Sequence, residues 1–304
     1  MHDTGLSAKI RFIKCIMKIL PAAIILGLGI LATPCLLVYK VSKFRMSQET
    51  LDPSFHFLAF SDIRITSTDG NEILGWWIPG MEGFAGIVLA PGFGMNRSDA
   101  LSLATVLHKE GFNILIYGQR GSSASSEKSS TFGLKEEKDM LSILRFIQKR
   151  PEIDPSSIGI WGVDVGAYSA LQAAATVHEV RAIAADNVFE SISNFVDIRI
   201  KEEFNLENRL LQFGCRQIYR LFYITSGSLS DEGIPVEKLV DRSLLFITGE
   251  NRKKLGYLTT ALYEKLSSEK EKISFKTSRV HLMKEEEFQG YDRRVADFFL
   301  QNLQ

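Results

Sequence analysis

Three short apolar runs constrain this chain most: GIVLA at 86–90, NILIY at 113–117 and IGIW at 158–161. Each is followed within a few residues by a longer stretch with helical spacing of apolar side chains. Strands that are apolar at nearly every position bury both faces, and strands alternating with helices build a mostly parallel sheet covered on both sides. The same alternation continues through Val180–Ala185, Leu244–Thr248 and Lys272–Lys276, with helices expected over 98–110 (capped by Ser98), 134–150, 165–177, near 255–266, and over 289–303. Ahead of these units, Asp62–Ser67 and Glu72–Ile78 flank the turn signal Thr-Asp-Gly-Asn and read as a hairpin. Residues 189–238 break the alternation; rich in aromatic and basic residues, they read as a small helical cap.

The other strong feature lies at the N-terminus. Ile19–Tyr39 is an uncharged run of 21 residues, which as a helix spans ~30 Å, the thickness of a bilayer core. Lys9, Arg11, Lys14 and Lys18 precede it and Lys40, Lys43 and Arg45 follow it. It reads as an uncleaved single-pass anchor in residues 1–45, with a cleaved signal peptide or a buried helix as alternatives. The flanking charges slightly favour a cytoplasmic N-terminus with the remaining domain across the membrane. Residues 46–55 read as a linker and 56–304 as one α/β domain.

Charge narrows the partners. Residues 1–45 carry seven basic side chains and one acid, so with a formal net charge of zero for the whole chain the remainder is acidic. An acidic domain is poorly suited to nucleic acid, leaving a small molecule, with a protein partner as a further option. Cys15, Cys35 and Cys215 form no metal-type spacing and no disulfide framework. No metal or cofactor is expected.

The chemistry-bearing motif is GVDVG at 162–166, placed between an apolar strand and an Ala-rich helix. Gly-x-x-x-Gly in that setting is the layout of a nucleophile elbow, but its centre is Asp164. A carboxylate is stable at a helix start, so Asp164 is either a nucleophile forming an ester intermediate or a capping acid at a site without chemistry.

GIVLAPGFGMNRSD at 86–99, YGQRGSSAS at 117–125, the elbow, and the strand ending at Gly249 occur in an order that resembles the α/β-hydrolase superfamily, most of all its serine-peptidase-like and Bem46-like branch. The resemblance implies an α/β-hydrolase fold behind the N-terminal helix and a hydrolase acting on a small molecule. It implies elbow glycines at Gly162 and Gly166, oxyanion donors in the backbone N–H groups of Phe93 and Val165, and a general base at His281 in SRVHLMK. It also exposes departures. Pro91 stands where the family has histidine, Asp164 where it has serine, Val280 where a glycine precedes the histidine, and Arg252 where it has the acid that orients the histidine. Arginine cannot take that role, so Asp186, at the end of the strand after the elbow, or Glu250, on the Arg252 loop, is the substitute. An Asp nucleophile suits displacement at an sp³ carbon, as in the α/β-hydrolases acting on haloalkanes and epoxides, better than attack on an ester carbonyl, which would give a labile anhydride. The other reading of the same departures is an inactive member that binds a ligand or a protein. Arg120 reads as a tie between loops, Asp139 as a local partner and Cys215 as a buried apolar residue.

Overall fold

The computed structural model describes residues 17–303 except 19, 22–26, 28, 31, 44–48, 50, 225–232 and 279–284. An eight-stranded sheet runs in the order β1-β2-β4-β3-β5-β6-β7-β8. β1 (Ser61–Thr66) and β2 (Glu72–Ile78) form the antiparallel hairpin, and β2 pairs antiparallel with β4 (Asn113–Tyr117). The other strands, β3 (Phe84–Ala90), β5 (Ile153–Val163), β6 (Val180–Asp186), β7 (Ser243–Gly249) and β8 (Lys270–Phe275), extend the sheet in parallel from β4.

The all-apolar strands divide their side chains between two cores, as period-two geometry requires. Val88, Leu115, Tyr117 and Ile160 face one core and Ile87, Leu89, Ile114 and Trp161 the other. α3 (Glu136–Ile147), α4 (Val165–Ala174) and α7 (Lys253–Lys265) cover the first face. α2 (Leu101–Lys109) and α8 (Glu285–Leu303) cover the second. Between β6 and β7, in the stretch read as a cap, lie α5 (Ile192–Phe204) and α6 (Arg209–Ile224).

One local expectation differs from the structure. The helix expected to start at Ser98 is preceded by a 3-10 turn over Arg97–Ala100, in which the Asp99 carboxylate accepts from the Asn96 N–H at 2.9 Å. Ser98 is no cap, because it lies inside this turn, whose N-cap is Asn96; its N–H donates to the Glu49 carboxylate at 3.1 Å. Glu49 also pairs with Arg97 at 2.6 Å, both side chains being largely buried. Glu49 is thus fastened to the turn that precedes α2, and Pro53–His56 forms a further 3-10 turn.

The apolar N-terminal run continues into a helix whose described part covers 32–42 (α1). Its buried residues, Pro34, Val38, Val41 and Ser42, recur with helical spacing and face the domain. The Ser130 N–H donates to Ser42 O at 3.0 Å. Among the described residues no helix is long and apolar enough to cross a membrane, so the expected transmembrane helix is not seen as a complete element.

Candidate functional site

β5 ends at Val163 and α4 starts at Val165, so the chain reverses within one residue, Asp164. That residue has φ 38° and ψ −99°, a conformation costing a non-glycine residue about 1–3 kcal/mol. The neighbouring strand holds it there: the Asp164 N–H donates to Asp186 O at 2.8 Å, and Asp164 O accepts from the Tyr168 N–H at 2.9 Å. The turn is too crowded for side chains at its ends. A Cβ at Gly166 would sit 2.2 Å from Ala90 O, and one at Gly162 would sit 2.6 Å from Ala167 N. The two glycines are steric requirements of the elbow.

The Asp164 side chain does not project into open space. Only 1% of the residue is exposed. Its Oδ1 accepts from the Phe93 N–H at 2.7 Å and from the Val165 N–H at 2.5 Å. These are the two backbone donors expected to stabilise an oxyanion, and the residue at the nucleophile position occupies both. Gly92 makes this possible, since a Cβ there would lie 2.9 Å from Asp164 Oδ1. The second oxygen, Oδ2, accepts from Arg252 Nη1 at 3.1 Å. The carboxylate is thereby satisfied by two amides, a guanidinium and the start of α4.

Arg252 lies at the end of a 3-10 turn, Glu250–Arg252, between β7 and α7. Its side chain is 7% exposed, and its Nη2 has no hydrogen-bond partner and lies 3.9 Å from Glu202 Oε1. Glu202 belongs to cap helix α5 and also accepts from Arg199 Nη1 at 2.9 Å. On its outer side Arg252 borders a cavity of about 280 Å³ with Glu202, Glu250, Lys253 and Lys254.

The two substitute acids occupy different surroundings. Asp186 is fully buried. Its Oδ2 accepts from the Tyr291 hydroxyl at 2.9 Å, its Oδ1 accepts from the Asn187 side-chain amide, and Tyr291 in turn accepts from Trp161 Nε1 at 2.8 Å. Burial pushes the Asp186 carboxyl up to about 7, against the lowering effect of Tyr291, Asn187 and Arg252. Both oxygens are thus committed to a polar chain that ties β6 to α8. Glu250 is exposed at the cavity rim. His281 lies outside the described residues, so its relation to Asp164 is not part of the geometry. The loop leading toward it is anchored, as Asn251 Oδ1 accepts from the Ser278 N–H at 2.9 Å.

Aromatic residues from the cap stretch and from the segments after β3 and before α3 pack together beside the elbow. Phe93, Phe132, Phe189 and Phe195 are all nearly or fully buried. Their ring centroids follow one another at 5.4 Å (Phe93 to Phe132), 5.5 Å (Phe132 to Phe195) and 4.5 Å (Phe195 to Phe189). Tyr219 of α6 joins through its hydroxyl, which donates to Thr131 O at 2.7 Å. These contacts lock α5 and α6 onto the domain.

Arg120 stands apart from this site. It is buried and makes a two-point contact with Asp139, Nε to Oδ2 at 3.0 Å and Nη2 to Oδ1 at 2.6 Å, and a third contact with Asp69 at 3.0 Å. It ties the β1–β2 turn, the β4 loop and α3 together. Among the described residues no group of three or more His, Cys, Asp or Glu could hold a metal ion.

The Asp164–Arg252 contact was not anticipated. Its signal was present, because the two positions where the sequence departs most from the α/β-hydrolase pattern carry opposite charges. Glu202 and the Trp161–Tyr291–Asp186 chain had no local signal.

No family model matches the chain. Among curated proteins it is similar to the thiohydrolase aneE of Aspergillus aculeatus, 26% identical over 147 residues, covering 47% of this chain and 44% of that protein. It is similar to the uncharacterized protein YfhR of Escherichia coli K12, 25% identical over 142 residues, covering 44% of this chain and 49% of that protein. The chain spans about half the length of the curated relatives it matches. Among solved structures it superposes on the Pyrococcus furiosus esterase PF2001 with a TM-score of 0.67 at 20% identity, covering 86% of this chain and 98% of that one. The alpha/beta hydrolase GrgF from Penicillium gives 0.60 at 17% identity, covering 81% of this chain and 99% of that one. The chain has the α/β-hydrolase fold, and the characterised proteins it is similar to include enzymes of that fold.

Proposed function

We propose that this protein is an α/β-hydrolase-fold chain whose elbow is closed to serine-type acyl transfer, and that it acts as a ligand- or protein-binding module attached to a membrane through the uncharged run 19–39, whose last turns, from Pro34, also pack on the domain. One observation carries the first part: the Asp164 carboxylate sits on the N–H groups of Phe93 and Val165 and on Arg252 at once. Catalysis of acyl transfer needs those donors aimed at charge that develops in the transition state. Here the protein's own carboxylate already holds them in the ground state. Arg252 stabilises the same anion further, and its bulk occupies the approach to Oδ2. The attachment rests on the uncharged 19–39 run and its basic flanks.

One observation favours a hydrolase instead. An ester formed on Asp164 would keep its carbonyl oxygen on the same N–H pair, where attack by water would be assisted. In that reaction Oδ2 displaces a leaving group at an sp³ carbon, and His281 draws a proton from the water that opens the ester. This route requires Arg252 to release Oδ2.

The test is turnover by the purified full chain of short esters, thioesters, epoxides and haloalkanes, beside Asp164→Asn and His281→Ala. No turnover by folded protein is the expected result. Turnover abolished by both substitutions would replace the binding reading with the Asp-nucleophile hydrolase.

A further inference from the structure

We infer that the cap helix α6 lies on the membrane surface, its exposed side chains Leu210, Phe213 and Leu221 entering the headgroup region of a bilayer containing anionic phospholipid. The inference rests on the reading of residues 19–39 as a membrane anchor and extends it from a tether to an oriented docking face.

The two faces of α6 are chemically unlike. Cys215 and Tyr219 are buried against the domain, while Leu210 is 80%, Phe213 55% and Leu221 64% exposed. Positions 210, 213 and 221 fall on one stripe of a helix, with spacings of three and eleven residues. The helix holds Arg209, Arg216 and Arg220 and no acidic residue. Arg216 lies 3.5 Å from Asp197, whereas Arg209 and Arg220 are exposed. The stripe also carries the exposed Gln217, and the three arginines border it on one side. An exposed, mainly apolar stripe beside basic residues is the pattern of a helix that lies in a bilayer interface, and each basic side chain near an anionic surface adds about 1 kcal/mol.

The position of α1 makes the occupant specific. Pro34 belongs to the uncharged run, and a Cβ at Gly214 of α6 would lie 3.1 Å from Pro34 Cγ. Cys215 Sγ lies 4.0 Å from Pro34 O. α6 is therefore in contact with the apolar run itself. Pro34 is five residues before Tyr39, or about 8 Å along a helix. If the run enters a bilayer, α6 cannot be far from its surface. α1 itself exposes Leu36 at 59% and Tyr39 at 55%, followed by the exposed Lys40 and Lys43. Aromatic and basic residues at the end of an apolar run mark the membrane–water boundary. Docking there fixes the cap, and with it the cavity beside Arg252, at a defined height above the lipid.

The experiment uses the full chain reconstituted in phosphatidylcholine/phosphatidylglycerol vesicles with brominated acyl chains. Trp76, Trp77 and Trp161 are buried and provide a constant background. Phe213→Trp places a reporter on the α6 stripe; Gln301→Trp places one on the exposed side of α8, which covers the opposite sheet face. The added emission of Phe213→Trp is expected to fall by about half in brominated vesicles, while that of Gln301→Trp is unchanged. If the protein floats with the vesicles but Phe213→Trp is no more quenched than Gln301→Trp, α6 docking is overturned and the anchor stands. If the protein does not float with the vesicles, the anchor and the docking face are both overturned.

Discussion

The carboxylate of Asp164 lies 3.1 Å from the guanidinium of Arg252, with 2% and 7% of the two side chains exposed. Residues 88 positions apart in sequence form an ion pair at the point where an α/β-hydrolase fold would perform its chemistry. The pair is part of the elbow's architecture, since Asp164 also satisfies the first N–H of α4 and the N–H of Phe93.

Breaking this pair from one side should be costly. Arg252→Met leaves a buried carboxylate without its cation and is expected to lower unfolding free energy by about 3–5 kcal/mol. Asp164→Asn together with Arg252→Met removes both charges and should recover most of that loss. Urea unfolding of the two variants measures the difference. Equal losses in the single and double variants would mean that the ion pair is not what holds the elbow.

The same geometry makes the site a receptor for its own carboxylate. Asp164→Gly removes the anion, relieves the positive φ, and leaves the Phe93 and Val165 N–H groups facing Arg252. Formate should then bind the vacated position and raise the melting temperature of Asp164→Gly, by about 2–4 °C for each kcal/mol of binding. The unsubstituted protein should show no such response. Thermal melts with increasing formate, balanced with chloride, decide it.

Asp186 sets a pH dependence of stability. Burial raises its native pKa to about 7 from an ordinary 3.8, so the native state binds its proton more tightly than the unfolded chain. The stabilisation linked to that proton is fully present below about pH 4 and is lost as pH rises through 7. Asp292, against Ser102 on α2, is pushed by burial to about 6 and acts in the same direction. Asp139, pushed by burial to about 6, acts likewise, so stability should fall from pH 5 to pH 8, and Asp186→Asn should flatten part of the slope. A melting temperature that rises over this range in the unsubstituted protein would contradict the assignment.

Gly166 offers a purely steric test. A methyl group there meets Ala90 O at 2.2 Å and Pro91 O at 2.8 Å, both backbone atoms that cannot move aside cheaply. Gly166→Ala is expected to cost about 3 kcal/mol, read by urea unfolding. Gly290→Ala, where a Cβ meets nothing within 4 Å, is the control and should be neutral or slightly stabilising.

Much of the scaffold was legible in the chain because its determinants are local. The runs GIVLA, NILIY and IGIW became β3, β4 and the inner part of β5, since a strand buried on both faces must be apolar at successive positions. Gly162 and Gly166 marked the elbow because only glycine fits so close to a crossing backbone. Element ends were less exact. Ser98 looked like a cap, but the chain already turns at Asn96, which leaves Ser98 inside the 3-10 turn ahead of α2.

The sequence by itself determined the layered α/β sheet, the elbow and the residues at its centre, because periodicity and steric demand act over a few neighbouring positions. Only the tertiary structure decided what those residues do. Asp164 reads equally as nucleophile or cap until Phe93, from the loop after β3, and Arg252, from the loop after β7, are brought against it. Asp186 reads as a free acid until Tyr291 of α8 closes over it. Charge pairing and desolvation are set by distances across the fold, and the spacing of residues along a chain does not encode those distances.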